Sequence, residues 1–127
     1  MELFKILKRM KILLIDDDEW VRDSMVLFFA GEGCSLEALE TAEEGLIATR
    51  KEIYDIIIAD QRLPGMDGLD FLNTVQNKDG HPIKILISAY IEEKIESEAK
   101  QIGVHAVISK PFTTEAIEAA LSRIIDN

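Results

Sequence analysis

Three isoleucines in a row, Ile56-Ile57-Ile58, run through Ala59 into one carboxylate, Asp60, and the chain then turns at once through Gln61-Arg62-Leu63-Pro64-Gly65-Met66-Asp67-Gly68. An apolar run without period-2 alternation fits a strand covered on both faces, as at the centre of a parallel sheet. Pro64-Gly65 and Asp67-Gly68 force a turn, after which Leu69, Phe71, Leu72 and Val75 follow at helical spacing, predicting a helix from about Gly68 to Gln76. Asp60 therefore stands at the carboxyl end of a central strand, the edge where open parallel α/β sheets hold their ligands. A lone aspartate there would be read as a loop cap. Asp60 is not alone.

The same unit recurs along the chain. Lys11-Ile12-Leu13-Leu14-Ile15 is a second apolar run and ends in Asp16-Asp17-Asp18-Glu19, before a helix over Trp20–Ala30 with Val21, Met25, Phe28 and Phe29 on one face and a stop at Gly31-Glu32-Gly33. Ser35–Glu40 is a short strand, and Thr41-Ala42-Glu43-Glu44 is a capping box opening a helix to about Lys51. A polar connection, Asn77-Lys78-Asp79-Gly80-His81-Pro82, leads to a strand over Ile83–Ser88, and Ile91, Ile95, Ala99 and Ile102 mark a helix that ends at Gly103. His105–Ser109 is a last strand, Lys110-Pro111 follows, and Thr113 caps a final helix with Ile117, Leu121, Ile124 and Ile125 on its buried stripe. Five strands alternating with five helices predict a three-layer α/β sandwich. With right-handed crossovers, the flavodoxin-like (βα)5 order 2-1-3-4-5 is favoured for its parallel sheet.

At 127 residues the chain suits one domain with its own core, and no linker or repeat divides it. A net charge of -10 argues against direct binding of nucleic acid or an anionic membrane, because phosphates would be repelled. The one cysteine, Cys34, precludes an internal disulfide and is read as a buried small hydrophobe in a reducing compartment. Residues 1–9 do not read as a signal peptide, since Lys5, Lys8 and Arg9 break the apolar run. They are either an amphipathic helix that docks on the domain or on a partner, or a start-site artefact ahead of Met10. No run approaches the ~18 apolar residues of a membrane-spanning helix, and the expected location is cytoplasmic.

In the order 2-1-3-4-5 the first and third strands are neighbours at the switch point, so Asp16, Asp17 and Asp60 converge, with Ser88 and Lys110 delivered to the same edge by the fourth and fifth strands. Carboxylates crowded within a few ångströms repel one another unless a cation joins them. Mg²⁺ suits the group, a hard ion held by one or two carboxylates with waters and phosphate oxygens completing its shell. A metal, a lysine, a hydroxyl and a carboxylate nucleophile are the parts that phosphoryl transfer needs.

Asp16-Asp17 after the first strand, Asp60 in Asp-Gln-Arg-Leu-Pro-Gly-Met-Asp-Gly, Ser88-Ala89 after the fourth and Lys110-Pro111-Phe112 after the fifth resemble the receiver domain of two-component response regulators, over residues 10 to about 126. The resemblance implies a receiver domain at 10–127 that accepts a phosphoryl group on Asp60 from a sensor histidine kinase or a phosphotransfer protein and signals to a downstream effector by changing conformation. It implies no catalysis beyond the domain's own phosphorylation and dephosphorylation. By the same resemblance, Asp17, Asp60 and the backbone carbonyl of Arg62 would bind Mg²⁺, and Asp16 would orient metal-bound water. Lys110 would pair with the acceptor and then the phosphoryl oxygens, Ser88 would be the switch hydroxyl beside Ala89, Arg62 and Tyr90 would tune hydrolysis, and Pro111 would follow a cis peptide bond.

Two departures from the family pattern bear on signalling. Val107 stands where the family usually has Tyr or Phe, and a β-branched side chain is too short and stiff to swap positions as a ring does. His105-Ala106 stand where the DNA-binding winged-helix class often has an acidic pair, so dimerisation through the face of the last two helices is not to be assumed. The loop carrying Ala89 and Tyr90 is then the expected moving element, with Tyr90 either relocating or only shielding the phosphoryl group from water. A second reading, a haloacid-dehalogenase-type phosphatase with Asp16 as nucleophile, shares Asp16-x-Asp18, Ser88 and Lys110 but lacks an acidic metal motif after the lysine.

Overall fold

The apolar runs build the sheet. In the computed structural model, which describes residues 2–75 and 81–126, β1 (Lys11–Ile15), β2 (Ser35–Leu39), β3 (Ile56–Asp60), β4 (Ile83–Ser88) and β5 (Ala106–Ser109) pair in parallel in the order β2-β1-β3-β4-β5. Every residue of β3 is buried, as its lack of alternation requires, whereas β2 at the edge alternates between exposed and half-buried positions over Ser35–Ala38. The isoleucine run divides itself between the two faces. Ile56 and Ile58 pack with Ile12, Leu14, Phe29, Ile117 and Leu121 on one side, and Ile57 joins Leu13, Ile15, Phe71, Leu72 and Leu86 on the other. Each such side chain contributes about 1.5–3 kcal/mol by leaving water.

The helices are α1 (Leu3–Leu7), α2 (Glu19–Gly31), α3 (Ala42–Lys51), α4 (Gly68–Thr74), α5 (Glu93–Gln101) and α6 (Thr114–Asp126). Their ends carry local chemistry. Asp18 accepts the N–H groups of Trp20 and Val21, Thr41 and Glu44 close a reciprocal capping box, and Thr113 Oγ1 accepts the Ala116 N–H at 3.1 Å. Gly33 stops α2 at φ 77°, where its N–H reaches Ala30 O and the Cys34 N–H reaches Phe29 O.

Residues 3–7 form α1 and dock on the domain, one of the two readings of the first nine residues, so six helices are present among the described residues. So short a helix is marginal by itself, and α1 is held by packing: Leu7 is fully buried, the Phe4 ring meets Phe28 edge-on at 6.0 Å, and the helix touches α6. Two boundaries differ from expectation. Helix α5 starts at Glu93, not at Ile91, since Glu92 is extended (φ -99°, ψ 159°). Helix α4 ends at Thr74, where Val75 leaves helical geometry; the expected end at Gln76 and the connection through Asn77, Lys78, Asp79 and Gly80 lie outside the described residues. Among the described residues, no helix is long and apolar enough to cross a membrane.

Candidate functional site

Parallel register brings four strand ends to one edge. Ile15 lies opposite Ala59, Asp60 opposite Ile87, and Ser88 opposite Ser109, so the residues that follow β1 and β5 flank Asp60 and Ser88. Asp60 is only 4% exposed, and its Oδ2 lies 3.0 Å from Lys110 Nζ. The same ammonium stands 3.5 Å from Asp16 Oδ2. The main chain of Lys110 is anchored too, its N–H donating to Ser88 O at 2.9 Å, and the Lys110–Pro111 peptide is cis.

Asp16 is wholly buried. Its Oδ1 accepts the Asp18 N–H at 2.9 Å, its main-chain carbonyl accepts from Arg22 Nη1 at 2.9 Å, and its Oδ2 has no hydrogen-bond partner among the described residues. The contact of that oxygen with Lys110 is thus an ion pair without hydrogen-bond geometry. Asp16, Asp17 and Asp60 each offer an oxygen within 4.8 Å of the others, Asp17 from the exposed side. At such a separation two carboxylates in partly buried surroundings repel by about 3–4 kcal/mol. Burial raises the Asp16 carboxyl above its ordinary value, the Asp18 N–H opposes the rise, and the charge of Asp60 adds to it. For Lys110, burial acts to lower the ammonium, but its hydrogen bond to Asp60 and the charges of Asp16 and Asp60 outweigh it, and the net shift is upward. Three clustered carboxylates, one with a buried unpartnered oxygen, form a hard-oxygen donor set that fits a small divalent cation.

Asp17, Asp60 and Lys110 line a cleft of about 730 Å³, together with Arg62, Ser88, Ala89 and Tyr90. Ser88 is buried, and its hydroxyl donates to Tyr90 O at 3.0 Å while accepting the Tyr90 N–H at 3.3 Å. Tyr90 itself is 65% exposed, with the Arg62 guanidinium 5.7 Å above its ring. The Arg62 N–H reaches Asp60 Oδ1 at 3.4 Å. Val107 is half-buried against the core beneath α4 and α5.

All the residues singled out in the sequence meet at this edge except Val107, which lies in the core behind it. Three others do so without having been singled out for the site. Arg22 holds the Asp16 carbonyl, Glu43 accepts the Met66 N–H at 3.3 Å across from α3, and Gln61 ties the start of α4 to the end of β3. Gln61 and Glu43 lie inside motifs read for other reasons, and nothing in the sequence marks these roles, because each acts through a main-chain group whose direction is known only from the fold.

The comparisons with known proteins agree with this geometry. Residues 12–122 match the family model of the response regulator receiver domain. The sporulation initiation phosphotransferase F of Bacillus subtilis is 29% identical over 115 residues, covering 91% of this chain and 93% of the relative. The chemotaxis protein CheY-3 of Vibrio cholerae is 30% identical over 124 residues, covering 94% of each. Among solved structures, a CheY-like response regulator receiver domain protein from Methanospirillum hungatei JF-1 superimposes with a TM-score of 0.84 at 26% identity, covering 92% of this chain and 94% of that one. The phosphatase alternative finds no support in these comparisons, and Asp16, its required nucleophile, is fully buried. With the family model spanning residues 12–122, the chain belongs to the response regulator receiver domains, the signalling modules of two-component systems.

Proposed function

We propose that Asp60 accepts a phosphoryl group from a phosphohistidine on a sensor histidine kinase or a phosphotransfer protein, and that the change this produces at the cleft is read by a downstream effector. The observation that carries the proposal is Asp60 itself, nearly buried at the end of the central strand, held by Lys110 at 3.0 Å and sharing a cluster with Asp16 and Asp17. An Asp60 carboxylate oxygen attacks phosphorus in line, the N–P bond breaks, and the imidazole leaves with the bonding electrons and takes up a proton. Lys110 is placed to follow the charge from the carboxylate to the phosphoryl oxygens. Asp17, Asp60 and the Arg62 carbonyl would hold Mg²⁺, with Asp16 orienting a bound water. When bound, the ion neutralises acceptor and phosphoryl oxygens, which is most of what this reaction requires.

Ser88 and Ala89 would meet the phosphoryl oxygens, and Arg62 with Tyr90 would screen them from water, the stacking of guanidinium on ring giving the screen its form. The domain catalyses only its own phosphorylation and dephosphorylation and works in the cytoplasm. Residues 10–127 are the receiver unit, and 1–9 are an extension whose helix α1 packs on it. Incubation with acetyl phosphate and Mg²⁺ should add one phosphoryl group by intact-protein mass spectrometry, with none in Asp60→Asn or in EDTA. A phosphorylated Asp60→Asn protein would disprove the assignment.

A further inference from the structure

Gln61 has no part in the chemistry just described, yet it joins three elements around the acceptor. Its N–H donates to Ile87 O at 2.7 Å, its carbonyl accepts the Gly68 N–H at 3.1 Å, and its side-chain Oε1 accepts the Leu69 N–H at 2.8 Å. The N-cap of α4 is Asp67, which takes the Asp70 N–H at 2.9 Å. Gln61 is therefore a second cap, reaching in from the preceding strand to an amide that helix geometry leaves without a partner. The approach is close. A Cβ on Gly68 would lie 2.4 Å from Asp60 O and 2.9 Å from Gln61 Cα, so the first turn of α4 rests on the main chain of the acceptor. Residues 62–67 form the loop closed by this junction, and at its start the Arg62 N–H faces Asp60 Oδ1.

We propose that Gln61 is a positioning residue for the cation site, its side-chain amide fixing the direction of the Arg62 carbonyl. The inference rests on the reading of the site given under Proposed function. A side-chain ligand can adjust by changing rotamer, but a main-chain ligand points where the loop's dihedral angles send it. Whatever closes the loop sets that direction. Mg²⁺ tolerates little error, since it demands near-octahedral geometry at about 2.0–2.1 Å. Losing the Gln61 side-chain bond leaves the main-chain bonds to Ile87 and Gly68 in place, so the loop loosens without the fold being lost. Glutamine suits the task because it reaches the amide as an acceptor and brings no further negative charge to a crowded edge.

The test compares Gln61→Met, of similar length but without an oxygen acceptor, with Gln61→Glu, which restores one, and with Thr41→Ala, which removes the cap of α3. Mg²⁺ affinity is measured by isothermal titration, alongside melting temperature without metal. Gln61→Met should weaken Mg²⁺ by about tenfold, the lower end of what removal of a residue supporting a metal ligand does. Gln61→Glu should return affinity to the native value or above it, and Thr41→Ala should lower the melting temperature with affinity unchanged. Native affinity in Gln61→Met, or equal weakening in all three variants, would reduce Gln61 to a structural cap and overturn the proposal. A Gln61→Glu as weak as Gln61→Met would overturn it also. Native protein that bound no Mg²⁺ and took no phosphoryl group would instead refute the underlying reading of the site.

Discussion

At the amino edge of the sheet, Asp55 accepts the Lys11 N–H at 2.8 Å, the Lys11 ammonium lies 3.6 Å from Glu52, the Tyr54 hydroxyl bonds Glu37, and Lys84 Nζ donates to Leu72 O at 2.6 Å. At the carboxyl edge, three carboxylates cluster, two of them sharing one ammonium, and a buried Asp16 oxygen has no hydrogen-bond partner among the described residues. The same five strands thus end in paired groups on one side and, on the other, in clustered like charges with one buried oxygen that lacks a hydrogen bond among the described residues. A buried polar atom without a partner is costly, and it persists where a ligand is meant to complete it. The difference separates what holds the domain together from what the domain does.

The sharpest way to break that comparison is at Leu7, buried at the amino end beneath α1. Leu7→Ala should cost about 2–3 kcal/mol in urea denaturation and leave Mg²⁺ affinity and phosphorylation rate unchanged. A changed phosphorylation rate would mean that the two ends are coupled. Next comes Asp16→Asn, which removes a buried charge from a crowded site. Without metal it should stabilise the protein by on the order of 1 kcal/mol, and the added stability that Mg²⁺ gives the native protein should shrink. Destabilisation of the metal-free protein would show that the carboxylate cluster is not strained.

The smallest effect tests the amino edge itself. Lys84 is 5% exposed, and burial lowers its ammonium below the ordinary lysine value of 10.5. Because the folded form then binds protons less readily than the unfolded one, this group's contribution is fully present only above 10.5 and is lost as pH falls through the lowered value. Native protein should therefore gain stability relative to Lys84→Met between that lowered value and pH 10.5. A flat difference across alkaline pH would show that the hydrogen bond to Leu72 relieves the burial entirely.

Strand runs ending in acids made both topology and acidic edge legible from sequence, because uniform burial and a charged terminus are properties of the residues themselves. Lys84 was less legible. Inside the apolar run Ile83–Ser88 its burial depends on α4 presenting a carbonyl above it. The docking of α1 was legible only as one of two readings, since a pattern five residues long cannot show that Leu7 finds its pocket among side chains of distant segments. At the site, Asp60, Lys110 and Ser88 announce themselves by residue type and position. Gln61 and Arg22 do not, because a polar side chain bonded to a main-chain group leaves no spacing to read.

The contact of Gly68 with the Asp60 carbonyl also bears on mechanics. With α4 pressed on the acceptor's main chain, and Gln61 bonded to β4 and α4 together, that flank of the cleft is stiff. The opposite flank has fewer cross-links: the Glu92 side chain caps none of the amides of α5, and the exposed Tyr90 is tied to the Ser88 hydroxyl and stacked by Arg62. The flank with fewer cross-links is the one expected to yield, so a displacement caused at Asp60 is expected over residues 89–92, ahead of α5.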